Sequence, residues 1–282
     1  MTAHPRDQLG RFGIWRPARQ LTAELAAGIE QAGFGALWLG GSPDGDLAQV
    51  DELLDATSTL TLGTSIVNIW KDGPQDVARA FARVQDRHPG RFVLGVGAGH
   101  REATREYRRP YETLAAYVDS LRAGGVPQDA LVLAALGPKV LTLAGGRAAG
   151  AIPYLVPPEH TRRAREILGP GPLLAPEHKV VLDTDAARAR ALGRDRVRTP
   201  YLGLVNYTSN LRRLGWAEQD LSDGGSDALI DALVAHGSAD QVAAQLGRHL
   251  DAGADHVAIQ LLTAPDADPL PGYQDLARAL KL

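Results

Sequence analysis

Three times along this 282-residue chain, a helix-like segment meets a small residue and a glycine and then enters a short apolar run. The segments are IEQAGFGALWLG (29–40), GRAAGAIPYLV (146–156) and LDAGADHVAIQLL (250–262). Glycine lets a helix stop in left-handed geometry, and a strand apolar on both faces is one that helices cover from both sides. Repetition of that junction is the mark of βα units around a parallel sheet.

Candidate strands follow at 12–15, 36–39, 60–69, 92–96, 131–136, 151–154, 180–182 and 257–262. Helical patterns separate them at 77–87, 110–122, 138–147, 160–168, 186–194 and 239–252. Eight strands alternating with helices over this length predict an α/β fold of the (β/α)8 TIM-barrel type, with an open doubly wound sheet as the rival. No Ser-, Gln- or Pro-rich linker divides the chain, so residues 1–282 read as one domain. Residues 183–237 are too long for one crossover helix and form an insertion between strands 7 and 8, containing YLGLVNYTSN (201–210) and a helix around 226–235. Function in a barrel belongs at the carboxyl ends of the strands.

One strand end draws notice. The run RFVLGVGAGH (91–100) closes on Gly95, Gly97 and Gly99, and glycines at such an end let backbone approach a ligand closely, although Gly also serves any tight strand-to-helix turn. On the third strand, Thr64, Ser65 and Asn68 interrupt the apolar pattern, pointing either into the barrel mouth or to a neighbouring loop. Gly137-Pro138 opens a helix, where free amides and the helix dipole can hold an anion and Lys139 can add to it, or where a plain Gly-Pro turn suffices.

Several chemistries are excluded. There is no cysteine, so disulfides, thiolate catalysis and Cys-ligated metals fall away. No two of the eight histidines have zinc-motif spacing, and no metal site is expected. His100 follows the glycine run and is the one catalytic candidate; His160 fits a helix start, and His4, His88, His178, His236 and His249 sit in polar or helix-edge contexts. Thirty basic against 33 acidic residues with no polybasic face argue against nucleic acid. The opening MTAHPRDQLGRF lacks a signal peptide's apolar core, and the longest uncharged stretch, 56–70, is too short to span a membrane, so a cytoplasmic protein is expected. No nucleophile elbow, P-loop, Rossmann fingerprint or carboxylate pair occurs, which favours chemistry borrowed from an organic cofactor.

The motifs GIEQAGFGALWLGGSP, LGTSIVNIW, FVLGVGAGH, AALGPKVLTLAGGRAAG and YLGLVNYTSNLRRLGW resemble the luciferase-like oxidoreductases, above all the bacterial subgroup dependent on the deazaflavin coenzyme F420. The resemblance implies hydride transfer between the deazaflavin and a small organic substrate. The alternatives it leaves are an FMN-dependent monooxygenase and a non-catalytic flavin-binding barrel. It implies a non-proline cis peptide at Ser65–Ile66 behind the cofactor ring, and it sets Gly40, Asn68, Gly97, Ala98, Gly99, His100, Ala134, Ala135, Gly137 and Pro138 around the cofactor. Trp15, Trp70, Tyr154, Asn206 and Tyr207 are the substrate-pocket candidates. Dimers are common among the proteins it resembles. Where some relatives carry Asp-His or Glu after the second strand, this chain has Leu39-Gly40-Gly41-Ser42, so a proton donor is not expected there. No Lys/Arg cluster is read near Tyr154 and Gln260, which disfavours a sugar phosphate as substrate.

Overall fold

In the computed structural model, residues 9–104, 107–264 and 266–282 are described; His4 and most of the amino-terminal stretch lie outside them. Eleven strands form one sheet: β1 (Phe12–Pro17), β2 (Ala36–Gly40), β3 (Thr61–Ser65), β4 (Val67–Asn68), β5 (Phe92–Gly97), β6 (Leu131–Leu133), β7 (Gly150–Ala151), β8 (Leu173–Leu174), β9 (Glu177–Val181), β10 (Val234–His236) and β11 (Val257–Leu261). Every pairing is parallel. Parallel neighbours need crossovers, and helices supply them.

The barrel closes through one interrupted strand. β8 pairs with β7, and after Pro176 the same stretch continues as β9 and pairs with β11. The hand-over is bridged by Glu177 N donating to Pro153 O (2.8 Å) on one side and Ala258 N donating to Pro176 O (2.9 Å) on the other. The seventh strand therefore begins at Leu173 rather than at residue 180, because proline cannot continue a ladder and splits the run. β10 pairs with the upper part of β9 in a stretch the sequence pattern assigns to a helix end.

Twelve α-helices and four short 3-10 turns accompany the strands among the described residues, the α-helices being α1 (Ala23–Gln31), α2 (Ala48–Asp55), α3 (Pro74–Arg87), α4 (Pro110–Ala123), α5 (Pro138–Arg147), α6 (Pro158–Leu168), α7 (Ala186–Arg198), α8 (Val205–Leu214), α9 (Glu218–Leu221), α10 (Asp227–Leu233), α11 (Ala239–Asp251) and α12 (Leu270–Leu280). Proline opens α3, α4, α5 and α6, where its missing N–H leaves no bond unmade. Ser238 and Gln241 close a reciprocal capping box at the start of α11.

Inside the ring, Trp15, Trp38, Val93, Val132, Ile152, Leu173 and Ala258 meet in one buried cluster. A second and larger cluster lies where the strands' outer faces meet the helices, for example Leu37, Leu62, Leu94, Phe81 and Val118. The insertion packs its own third cluster, including Val197, Leu204, Tyr207, Leu211, Leu229 and Ile230, against the end of β9. Among the described residues, no helix is long and apolar enough to cross a membrane.

Candidate active site

Backbone crowding shapes the glycine-rich strand end. A Cβ on Gly95 would lie 1.9 Å from the Thr64 carbonyl oxygen, and one on Gly97 would lie 2.8 Å from the Ala134 Cβ. These two glycines let β3, β5 and the exit of β6 pack closely. Gly99, at φ +60°, is the one that borders open space, with Asn68 beside it. The three glycines thus divide: two serve packing and one serves the cavity wall.

That cavity, of about 460 Å³, sits at the carboxyl ends of the strands. Such a volume falls within the range of organic-ligand sites. Of the residues singled out from the sequence, Trp15, Ser65, Ile66, Asn68, Ala98, Gly99, His100, Ala134, Ala135, Gly137, Tyr154, Asn206 and Tyr207 line it. Gly40, Gly97, Pro138 and Trp70 do not. Trp70 instead donates its indole N–H to the Ala98 carbonyl (2.7 Å) and packs on Tyr107, so it holds the wall from behind. Pro138 opens α5 at the rim.

The Ser65–Ile66 peptide is cis, as the resemblance implies. Ser65 Oγ accepts the Trp15 indole N–H at 2.9 Å, while Thr64 turns away and exchanges two hydrogen bonds with the Gly95 backbone. Thr64 is therefore a link between strands rather than a wall of the mouth. Trp15 in turn lies over Gly40, where a Cβ would meet the indole at 1.9 Å. Gly40→Ala is expected to push Trp15 off Ser65 and cost about 1–3 kcal/mol. Urea unfolding checks the stability, and an unshifted tryptophan emission spectrum would contradict the displacement.

The opposite wall comes from the insertion. Asn206 Nδ2 donates to His100 Nδ1 at 3.4 Å, which leaves the His100 proton on Nε2, and Tyr207 packs on the imidazole at 5.5 Å. Burial lowers the His100 pKa, so the ring is neutral at pH 7. Asn206 Oδ1 is buried without a partner among the described residues. A buried unpaired carbonyl is costly, and a ligand N–H or O–H would satisfy it. Glu102 Oε1 accepts the Val205 N–H at the start of α8, tying the insertion to the His100 loop.

Deeper in, three tyrosines from separate elements converge. The Tyr154 and Tyr201 hydroxyls are 2.8 Å apart, and the Tyr154 hydroxyl donates to Gln260 Oε1 at 2.9 Å. Tyr207 meets Tyr201 edge-on, and Trp15 packs on Tyr154. Burial raises all three phenols, Tyr201 to about 12, so each remains protonated near neutrality. Beneath them, Lys179 Nζ lies 4.0 Å from the Tyr154 ring centroid and 5.0 Å from that of Tyr201. It donates to Glu177 Oε1 at 3.0 Å, and Glu177 Oε2 accepts the Leu155 N–H. Both charged side chains are fully buried; burial pulls the lysine's pKa down and the glutamate's up, and each opposes the other's shift.

Lys179 brings one later-strand cation against Tyr154, as a single paired lysine rather than a Lys/Arg cluster. Its ammonium is enclosed and already paired, so it forms a floor under the tyrosines. Tyr107, Tyr111, Ser42, Leu136, Val140 and Tyr201 also line the cavity and were not singled out, because each lies on a loop or helix start that only the closed ring brings inward. His178 is buried in β9 rather than in a polar or helix-edge setting, and His249, in the last turn of α11, is buried as well.

The family model for luciferase-like monooxygenases matches residues 8–125. That segment is similar to the luciferase-like family. A coenzyme F420-dependent glucose-6-phosphate dehydrogenase of Nakamurella multipartita is 32% identical over 104 residues, which are 32% of this chain and 31% of that protein. The chain thus spans under a third of that relative's length. The luciferase-like fold extends across nearly the whole chain. An F420-dependent secondary alcohol dehydrogenase in complex with an F420-acetone adduct superposes with a TM-score of 0.75 at 16% identity, covering 96% of this chain and 99% of the other. A type II Baeyer-Villiger monooxygenase from Pseudomonas putida, in complex with FMN, does so with a TM-score of 0.67 at 14% identity, covering 95% and 96%. These three proteins are by name two dehydrogenases and a monooxygenase, with both kinds of cofactor represented among them.

Proposed function

We propose that this protein is an oxidoreductase that binds a deazaflavin of the coenzyme F420 type and moves a hydride between it and a small organic substrate. The carrying observation is the cavity's two unlike walls. One is built of small residues and backbone, Ser65–Ile66, Ala98, Gly99, Ala134 and Ala135, and leads to the Gly137 helix start, where free amides suit a phosphate. The other is built of Trp15, Tyr154, Tyr201 and Tyr207, which bound a compact, largely apolar pocket.

The unpaired Asn206 Oδ1 and the close backbone at Gly99 fit a flat ligand bearing N–H donors. When bound, a deazaflavin supplies hydride chemistry. The chain's own residues would orient the ring, exclude water and position the substrate's reacting carbon. Neutral His100 offers an N–H at Nε2, and Tyr207 offers an O–H to a substrate oxygen, since the Tyr154 O–H is committed to Gln260 and the Tyr201 O–H to Tyr154.

A reduced-FMN monooxygenase is the second reading, supported by the likeness to the FMN-bound fold. Fluorescence titration of the purified protein with coenzyme F420 and with FMN separates the two. Saturable F420 binding with weaker FMN binding is the expected result. FMN binding tighter than F420, or no F420 binding at high micromolar concentration, overturns the deazaflavin reading.

A further inference from the structure

Beside the cavity, at the amino terminus of α5, positive groups outnumber what neutralises them. The three turns that meet there, residues 136–140, 158–163 and 210–213, carry one acid, Glu159, against Lys139, Arg162, Arg163, Arg212 and Arg213, in a chain whose net charge is −3. Arg213 Nη2 stands 3.9 Å from where a Cβ on Gly137 would be. Arg163 Nη1 donates to the Arg213 carbonyl oxygen at 2.5 Å, bringing a second guanidinium to the same place. Glu218 takes Arg212, but Arg163, Arg213 and Lys139 have no carboxylate partner among the described residues.

Two buried polar atoms lie among these groups without partners. His160 and Asn210 are each only 3% exposed, and His160 Nδ1 and Asn210 Nδ2 make no hydrogen bond among the described residues. Their other polar atoms fix where they sit. Asn210 Oδ1 accepts from Arg213 Nη2 at 3.3 Å, and His160 Nε2 donates to the carbonyl of Leu136, the residue before Gly137. Arg163 and Arg213 both lie near enough to His160 to oppose its protonation. The helix terminus, two guanidiniums without a carboxylate partner among the described residues, and two buried side chains that each keep one unsatisfied atom thus lie together.

We propose that this cluster binds an anionic extension beyond the cofactor's phosphate, with Arg163 and Arg213 taking carboxylates of the kind an oligoglutamate tail on coenzyme F420 presents. The inference rests on the deazaflavin reading above. A single phosphate is served by the α5 amides and Lys139, which leaves the two arginines for further negative charge. FMN ends at its phosphate and gains nothing from them. The site therefore doubles as a means of choosing between cofactors.

Binding, not turnover, tests it. Coenzyme F420 carrying one glutamate, coenzyme F420 carrying a long glutamate tail, and FMN are titrated by fluorescence into the wild type and the Arg163→Ala, Arg213→Ala double variant. The long-tailed form is expected to bind the wild type about fivefold to tenfold tighter than the one-glutamate form, with the gap narrowing as salt rises. The double variant should lose that gap and keep its FMN affinity. Both side chains are exposed, so a retained circular dichroism spectrum and melting temperature confirm the fold. Equal affinity for both tail lengths in the wild type overturns the proposal, as does a double variant that weakens all three ligands equally, which would assign the arginines to the phosphate. If no F420 form binds, the deazaflavin reading falls and this inference with it.

Discussion

Replacing Lys179 with methionine is expected to destabilise the fold by about 3–5 kcal/mol, because it leaves the Glu177 carboxylate buried and unpaired. The residue is 1% exposed, and Glu177 is fully enclosed. Urea unfolding at pH 7 reads the loss directly. Adding Glu177→Gln should recover most of it, since glutamine still accepts the Leu155 N–H and carries no charge. The deficit of the single variant should also depend on pH. Burial already raises the Glu177 pKa, and without the ammonium it rises further above the unfolded value. A raised carboxyl is tolerated in its protonated form at low pH and penalised as pH climbs. The gap between Lys179→Met and the wild type should accordingly be smaller at pH 5 than at pH 8. A pH-independent gap would mean that Glu177 finds another cation.

Acid should unfold this protein through its buried histidines. His178 and His256 are fully enclosed and lowered from 6.5 to about 4, and His249 is held well below its ordinary value. His256 donates from Nδ1 to the Gly10 carbonyl and accepts the Trp38 indole N–H at Nε2, so its neutral form is the one the fold uses. His249 Nε2 and His178 Nδ1 share one hydrogen bond at 2.9 Å. The folded pKa values lie below the unfolded ones, so the unfolded chain binds more protons throughout that window. Stability from these groups is complete above about pH 6.5 and declines as pH falls toward about 4. His178 and His256 should each account for about 3 kcal/mol of that decline. Chemical unfolding at a series of pH values measures it, and a flat stability between pH 6.5 and 4.5 would refute the assignment.

Much of this architecture was legible because its signals are local. The bounds of α5 follow from a proline at one end and the Gly-Arg stretch at the other, and they match the structure at both. The seventh strand was harder. EHKVV looks like a surface stretch that turns apolar at Val180, yet every residue of β9 is buried. Charge hides a buried strand when an ion pair and cation–π contacts satisfy the charges internally, and no pattern along the chain reveals that. The candidate site divides in the same way. Ser65 could be read from the polar residues that interrupt the third strand, whereas Ala98 and Ala134 follow from the resemblance alone. Tyr107 and Tyr201 follow from neither, since ring closure and the packing of the insertion decide where those loops fall. Asn206 and Tyr207 were accessible because a Tyr/Asn-rich run inside a long insertion is unusual.

The insertion's private hydrophobic cluster has an evolutionary consequence. Tyr201, Asn206 and Tyr207 reach the cavity from a segment whose buried side chains pack mainly on one another and on the end of β9. The wall of small residues is instead anchored in the ring and its helices. Mutations in the first can accumulate with little repacking of the second. Substitutions at Tyr201 and Tyr207 can accordingly reshape their side of the cavity while the wall of small residues keeps its own packing.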